Sequence, residues 1–431
     1  MDSGQEIRIQ IALAGPVKKC LTCAAFLLPV AFYVAVAAIH FQSNRLSSRP
    51  SLASLELASR LDPWNDQYRA LIGEYYLLIP REPSVAATFF DSALALNPRA
   101  SRSWLDLAAA NQLLGKSRQQ MVALANALVV DPKTPQTAWE AANAYTALGE
   151  TNMALIAFRT VMEGSPSLQP AALQFCWRLR PDAQALLRDT IPMNGPAPAA
   201  FLELLVSKNE GAAAAEAWND IVRNRQPLEP RDLLNYVQFL IADHDFSSLS
   251  QVWLEGTRLA GLGDYQSSPA NLVVNGNFRL AILNAGLDWR YQQSPDVSLA
   301  LDPAQSYSGL GSLRLRFDSR GLEDGGIRQY IPVIPNARYM FSSFIKSEQL
   351  QGAGGPHFVI EDFISGADYF SSDILATDGS WKQCSGEFTT GPDTRLVTLR
   401  IKRVPAGDAI RGTLWIDGMR LVQEPFAEAQ P

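Results

Sequence analysis

Histidine and cysteine are scarce in this chain, whose 431 residues include three histidines and four cysteines. The histidines lie far apart in sequence, which argues against a histidine-based metal centre and against a Ser-His-Asp triad. Cys20 and Cys23 fall inside an apolar run, and Cys176 and Cys384 lie in different halves of the chain. The cysteines therefore indicate neither a disulfide framework nor a redox or metal site.

Basic clusters and catalytic motifs are missing as well. The 37 basic and 43 acidic residues give a net charge of −6 without a basic run, which argues against a nucleic-acid partner. The sequence has no glycine-rich phosphate loop and no nucleophile elbow. Glu361 and Asp362 form an acidic pair, but neighbours on a strand point to opposite faces and cannot flank one glycosidic bond. We therefore expect a protein that is not an enzyme.

Four prolines recur at a nearly constant interval in the first half of the chain. They are Pro63, Pro98, Pro132 and Pro166, at intervals of 35, 34 and 34 residues. A fixed period of about 34 residues is typical of stacked helix-turn-helix repeats. Because a proline pushes the preceding residue out of the helical region, we expect each proline to follow the second helix of a pair.

Large and small packing residues recur in phase with these prolines. The three blocks contain Tyr68, Leu71, Tyr75, Ala86, Phe90 and Ala93; Trp104, Leu107, Ala108, Asn111, Gly115, Leu124 and Ala127; and Ala142, Tyr145, Gly149, Ala154 and Phe158. This pattern resembles the tetratricopeptide-repeat family. The resemblance implies an all-α solenoid over residues 50–166 whose concave face holds a protein partner. Helical periodicity continues over residues 167–265, which predicts divergent repeats of the same kind. For the first repeats, the alternative to the tetratricopeptide resemblance is an unrelated alanine-rich helical bundle.

An apolar run near the amino terminus predicts a membrane helix over residues 20–41, after a cytoplasmic segment over residues 1–19. Such a helix is about 33 Å long, enough to cross a hydrocarbon core. By the positive-inside rule, Lys18 and Lys19 place its start in the cytoplasm and the bulk of the chain outside it. A cleavable signal peptide is the alternative, because residues 35–37 (Ala-Val-Ala) resemble a cleavage site. A buried helix of a soluble protein is the remaining interpretation.

Beyond residue 265 the hydrophobic period changes from that of helices to that of strands. Six runs alternate between apolar and polar residues, at 312–317, 327–333, 338–345, 358–363, 397–401 and 413–416. Many short strands predict an all-β sandwich or jelly roll over residues 270–425. The predicted fold class is therefore multidomain, with a transmembrane helix, an all-α solenoid and an all-β jelly-roll sandwich.

Several short sequence motifs follow one another in this β-rich region. They are Asn-Leu-Val-Val-Asn-Gly-Asn-Phe at 271–278, Gly-Leu-Asp-Trp at 286–289, Tyr-Ser-Gly-Leu-Gly-Ser-Leu-Arg-Leu at 307–315 and Leu-Trp-Ile-Asp-Gly-Met-Arg-Leu at 414–421. In this order they resemble carbohydrate-binding modules of the family 4 and family 9 type. The resemblance covers nearly all of residues 271–423 and implies a galactose-binding-like jelly roll.

The resemblance also implies a glycan site, in which an aromatic ring stacks on a sugar and polar side chains bind its hydroxyl groups. The aromatic candidates are Phe363, Tyr369 and Phe370, and the polar candidates are Glu361 and Asp373. For Tyr369, ordinary partial burial is the competing interpretation.

One structural calcium is the only cofactor that the resemblance implies. The family often holds this ion with a carboxylate of the last strand, and Asp417 matches that carboxylate. Arg279, however, stands where the family usually has an acidic residue. A cation beside Arg279 is disfavoured, so this departure argues against the calcium ion that the resemblance implies at Asp417.

The combined expectation is a membrane-anchored, exported scaffold in the cell envelope. Its solenoid would recruit a protein partner and its sandwich would bind a glycan, in the assembly or export of an envelope or extracellular polysaccharide. The main alternative is a purely protein–protein scaffold in which the sandwich is another docking surface. A glycan-processing enzyme is the third, and it would require a cleft with two carboxylates about 5 to 9 Å apart.

Overall fold

The structure is a computed structural model that describes residues 15–48, 51–321, 324–404 and 408–424. The chain forms two compact units, Met1–Leu168 and Gln169–Pro431. The described part of the first unit contains the helices α1 (Pro16–Ser47), α2 (Leu52–Leu61), α3 (Asp66–Leu78), α4 (Pro83–Leu96), α5 (Ser101–Leu113), α6 (Ser117–Val130), α7 (Pro135–Leu148) and α8 (Thr151–Gly164).

Helix α1 is 32 residues long and continues through Pro29. Among the described residues it is the one helix long and apolar enough to cross a membrane, over Lys19–Ser47. Its apolar side chains are exposed, as is Phe32 at 72%. Membrane spans and signal sequences share this length and composition.

The repeat period correctly predicts where helices end. Helices α2, α4, α6 and α8 end at Leu61, Leu96, Val130 and Gly164, in each case two residues before one of the four prolines. Gly149 follows α7 in the left-handed conformation, with φ 80°, as a helix end of this type requires. Within a pair the packing is close, because a Cβ on Gly73 of α3 would lie 2.7 Å from the Phe90 ring of α4.

The second unit begins with six helices and ends with ten strands among its described residues. The helices are α9 (Gln169–Leu179), α10 (Ala183–Asp189), α11 (Ala197–Ser207), α12 (Gly211–Arg223), α13 (Pro230–Ala242) and α14 (Leu249–Leu259). The strands are β1 (Arg290–Tyr291), β2 (Val297–Asp302), β3 (Ser312–Gly321), β4 (Asp324–Pro332), β5 (Arg338–Gly352), β6 (Gly355–Asp362), β7 (Asp368–Ser371), β8 (Lys382–Thr389), β9 (Leu396–Val404) and β10 (Ala409–Gln423).

The strands form two five-stranded antiparallel sheets, in the orders β1-β4-β9-β6-β7 and β2-β3-β10-β5-β8. Their inner faces enclose one apolar core, because alternate residues of each strand point inward. Tyr339 and Phe341 of β5, Leu414 of β10 and Phe358 of β6 are fully buried there. The helical region followed by this two-sheet sandwich confirms the predicted fold class.

Helices α13 and α14 pack directly against the sandwich. The Trp253 ring of α14 is buried against Gly286, where an added Cβ would lie 2.3 Å from a ring carbon. The indole N–H of Trp253 donates to the Tyr265 carbonyl oxygen at 2.7 Å, and the Tyr265 hydroxyl donates to the Ala281 carbonyl oxygen at 2.8 Å. The segment between the helices and the sandwich is therefore an ordered part of the second unit.

Candidate functional site

The outer face of the sheet β1-β4-β9-β6-β7 carries a group of charged side chains. Arg400 of β9 lies opposite Arg328 of β4, and Lys402 lies two residues further along β9 on the same face. Arg400 forms ion pairs with Asp324 and, at 2.9 Å, with Glu361. Lys402 also pairs with Glu361. The sheet thus presents a charged surface on the side opposite to the core.

A polar cavity of about 640 Å³ adjoins this surface at the β1–β4 edge. Arg290, Arg328 and Arg400 line it together with three carboxamide side chains, and Asp324 is the carboxylate among its lining residues. Arg400 is already paired with Asp324 and Glu361, so Arg290 and Arg328 supply the excess positive charge that favours an anionic ligand, because guanidinium binds carboxylate and similar groups through paired hydrogen bonds. The carboxamides supply donors and acceptors for hydroxyl groups. We call this cavity and its three arginines the arginine cavity.

Arg290 is held in place by both the helices and the sheet. Its Nη1 donates to Gln238 Oε1 of α13 at 2.8 Å, and its Nη2 donates to the Gly286 carbonyl oxygen at 3.0 Å. The guanidinium carbon lies 5.0 Å from the Tyr330 ring centroid, within the range of a cation–π interaction. Burial lowers the pKa of Arg290, yet an arginine remains charged at neutral pH. Arg290 is therefore a fixed positive charge at the cavity wall.

Phe363, one of the predicted glycan-binding aromatics, lies in a cluster of rings. It meets the rings of Tyr330 and Phe246 nearly edge-on, with centroids 5.1 and 5.5 Å away. His244 lies 6.5 Å away in the same cluster. Because His244 and Phe246 belong to the α13–α14 connection, Phe363 contributes to the contact between helices and sandwich.

Tyr369 and Phe370 both pack against the other sheet. The β6–β7 pairing shifts register between Ile360 and Glu361, and such a bulge directs successive residues of a strand to one side. The Tyr369 ring stacks with Phe388 at 6.1 Å, and its hydroxyl accepts a hydrogen bond from the Gly391 N–H at 3.1 Å. The Phe370 ring lies 5.5 Å from that of Phe341. These two aromatic rings therefore contact the core.

The structure thus separates the five predicted glycan residues. Glu361 lies on the charged face, beside the arginine cavity, and is 8% exposed. Asp373 is exposed just after β7 and does not line the cavity. Sequence reasoning missed Arg328 and Arg400, although the alternation in β4 and β9 already indicates that both face away from the core.

The surroundings of Asp417 do not fit a calcium ion. Its buried carboxylate accepts hydrogen bonds from the Tyr307 and Ser308 N–H groups at 2.8 and 2.7 Å, and from the Gly418 N–H at 2.6 Å. The Ser306 hydroxyl adds a further donor at 3.1 Å. These donors occupy the lone pairs that a cation needs. Over the described ranges, no group of three or more His, Cys, Asp or Glu residues could hold a metal ion. Calcium binding at Asp417 stays a prediction.

A second candidate site lies in the first unit. A groove of about 500 Å³ runs between α5, α6 and α7. Leu105, Ala108 and Ala144 are among its apolar lining residues, and Gln112 and Trp139 are among its polar and aromatic ones. The Trp139 ring leans edge-on against Phe158, with ring centroids 5.7 Å apart. We call this cavity the solenoid groove.

No protein-family model and no curated protein matches the chain. Among solved structures, MamA is 16% identical, with 46% of this chain and 98% of MamA covered and a TM-score of 0.29. The Arabidopsis OM64 TPR domain is 21% identical, with coverages of 27% and 94% and a TM-score of 0.24. A CBM4 structure is 16% identical, with coverages of 35% and 99% and a TM-score of 0.28. The structural neighbours therefore include a tetratricopeptide-repeat domain and a carbohydrate-binding module, each similar to only part of this chain.

Proposed function

We propose that this protein is a membrane-anchored, exported scaffold that binds an acidic polysaccharide through its sandwich and a protein partner through its solenoid. The arginine cavity carries the proposal. It is open to solvent, has a size suited to a few sugar units and combines three guanidinium groups with three carboxamides. A polymer of sugar acids offers the matching carboxylates and hydroxyl groups.

In this proposal α1 anchors the chain, and the remainder lies outside the cytoplasm. The solenoid groove receives the protein partner, which brings other components to the bound polymer. The scaffold then acts in assembling or exporting an envelope polysaccharide, and we assign it no catalytic role. Bringing together two ligands through separate surfaces requires only binding, which agrees with the lack of catalytic motifs in the sequence.

The test is binding of the full chain, reconstituted in lipid nanodiscs, to immobilised polygalacturonate and to a neutral β-glucan. We expect binding to polygalacturonate that weakens as salt is added, since salt screens exposed charges. Arg328→Ala is expected to weaken it about tenfold, because a hydrogen bond to a charged group contributes about 1.5 kcal/mol or more. Arg316→Ala is the matched control, as Arg316 is exposed on the outer face of the other sheet.

Equal weakening by both substitutions would show that only the overall charge matters, and the cavity assignment would fail. If neither polysaccharide binds, the purely protein–protein scaffold replaces this proposal. One observation favours that second function: the predicted glycan-binding rings of Phe363, Tyr369 and Phe370 pack against other rings of this chain, whereas a sugar would need an open aromatic platform.

A further inference from the structure

Helix α2 packs against the end of α1 and runs in the opposite direction. Asp62 directly follows α2, and its Oδ2 lies 2.8 Å from Nδ1 of His40 in α1. His40 comes well before α1 ends at Ser47, although α2 begins soon after that end. Ser43, between His40 and the end of α1, is buried. The chain therefore turns back after α1, and α2 lies along the last turns of α1.

The contact between His40 and Asp62 sets the level of the α2 end relative to the apolar run of α1. That run covers residues 20–41, so His40 lies in its last turn. Because a helix of this length matches the hydrocarbon core of a bilayer, its last turn lies at the boundary between hydrocarbon and headgroups. Asp62 touches His40 and lies at the same level. With α1 in a membrane, the end of α2 is therefore at the lipid–water interface.

The exposed side chains at this end of α2 are apolar and suit such an interface. Leu57 and Leu61 are exposed one helical turn apart, and Trp64, which is 84% exposed, lies just beyond the helix. The turn that carries Trp64 is held by Arg69, whose Nη2 donates to the Pro63 carbonyl oxygen at 3.2 Å. Tryptophan is enriched at membrane–water interfaces, where its ring contacts hydrocarbon and its N–H meets polar groups. We call Leu57, Leu61 and Trp64 the interface patch.

The charges around the interface patch also suit the surface of a bilayer. Arg60 is exposed beside Leu61, whereas the carboxylate of Asp62 is buried next to His40. A basic side chain at this level can extend its charged end to lipid phosphates while its alkyl stem stays against apolar groups. The patch therefore combines apolar contact with a positive charge, and both are favourable at a lipid surface.

We infer that the interface patch inserts into the headgroup region of the bilayer, so that the first repeat of the solenoid is held against the membrane surface. This inference rests on the proposed function, because it requires α1 as a retained anchor. It adds a second lipid contact, made by the solenoid itself. The short turn over residues 62–65 then reverses the chain, so that α3 leads away from the membrane.

The test is fluorescence quenching of the full chain in phosphatidylcholine nanodiscs, with one environment-sensitive label on a single cysteine. The four native cysteines are first replaced by alanine. Trp64→Cys reports on the interface patch and Phe32→Cys on the span. Leu78→Cys is the matched control, because Leu78 is an exposed apolar residue at the far end of α3. The nanodiscs contain lipid with a nitroxide quencher near either the headgroup end or the tail end of the acyl chain, and melting temperatures verify that each variant is folded.

We expect the headgroup-end nitroxide to quench the label at position 64 about twofold more than the label at position 78, and the tail-end nitroxide to quench position 32 most strongly. If position 64 is quenched no more than position 78 while position 32 is quenched, the inference fails and the anchor stands. Emission from position 64 that shifts to shorter wavelength without quenching would mean that protein, such as a second copy of this chain, covers the patch, and this also overturns the inference. If position 32 is not quenched, the proposed membrane anchor fails and the inference fails with it.

Discussion

Asp288 and Asp417 are both fully buried in the second unit, but their carboxylates differ in hydrogen bonding. Asp417 accepts several hydrogen bonds from one loop and from its own neighbour. Asp288 Oδ2 accepts from the Leu283 N–H at 2.8 Å, but burial of this carboxyl group outweighs its hydrogen bonds with Leu283, Trp289 and Asn275. Because hydrogen bonding stabilises a buried carboxylate and desolvation opposes it, the two residues should respond differently to mutation.

The stability contribution of Asp288 should depend on pH. Desolvation raises the pKa of Asp288 to about 6, against 3.8 for an unburied aspartate. Between these two values the folded chain holds a proton that the unfolded chain has lost, so stability rises as pH falls from about 6 to 4. Asp288→Asn removes this titration. We expect the free energy of unfolding of the wild type, relative to the variant, to increase by about 2 kcal/mol from pH 7 to pH 4.5.

The measurement is urea unfolding of both proteins at several pH values, followed by tryptophan fluorescence. Parallel pH profiles for the wild type and the variant would contradict the assignment.

For Asp417 we expect a structural role that does not require calcium. Asp417→Ala leaves several buried or half-buried donors without an acceptor, and we expect it to lower the free energy of unfolding by about 3 kcal/mol. Neither calcium nor a chelator should change the melting temperature of the wild type, because ligand-bound proteins are stabilised and unbound ones are not. A wild-type melting temperature that rises with calcium would instead establish the predicted ion site.

At the scale of elements, the contact between α14 and the sandwich should be sensitive to one methyl group. Gly286 has φ 64°, and an added Cβ would lie 2.3 Å from the Trp253 ring. Gly366 has a similar φ of 68° with open space around it, so it is the matched control. Gly366→Ala should lower the free energy of unfolding by about 1 kcal/mol through backbone strain, and Gly286→Ala by about 3 kcal/mol. If thermal or urea unfolding shows that both variants lose the same free energy of unfolding, α14 does not pack closely against the sandwich.

The elements also show what could be predicted from sequence. Pro98 and Pro132 act on the residue before them, so the ends of α4 and α6 follow from local sequence alone. The arginine cavity is different, because Arg290, Arg328 and Arg400 come from three strands and meet only through the register of the sheet. That register depends on cross-strand packing, which a single sequence does not reveal.

The bulge in β7 determines where two of the predicted site residues, Tyr369 and Phe370, lie. Strict alternation would place one of Tyr369 and Phe370 on the outer face, as an aromatic platform for a sugar. The register shift instead lets both rings pack toward the other sheet. Bulges of this kind follow from tertiary contacts, so the pattern of apolar residues could not indicate it.

At the scale of the whole molecule, the fate of α1 determines whether the protein binds its two proposed ligands at the membrane or away from it. No other part of the described chain covers its exposed apolar side chains, and lipid around them would remove a large apolar surface from water. A retained anchor and a cleaved signal sequence both export the remaining chain, but only the anchor keeps the scaffold at the membrane. Intact mass distinguishes the two, because cleavage after Ala37 removes most of α1.

We expect the full mass to be retained and the protein to stay in the membrane fraction after carbonate washing. Orientation is tested with Ala376→Cys, which is exposed in the second unit, and with Ser3→Cys before the anchor, each in a variant whose four native cysteines are replaced by alanine. A membrane-impermeant maleimide should label Ala376→Cys in intact bacterial spheroplasts and Ser3→Cys only after lysis, because Lys18 and Lys19 favour a cytoplasmic start. The reverse labelling would place the arginine cavity in the cytoplasm, where it could not meet an exported polymer, and the proposed envelope role would be abandoned.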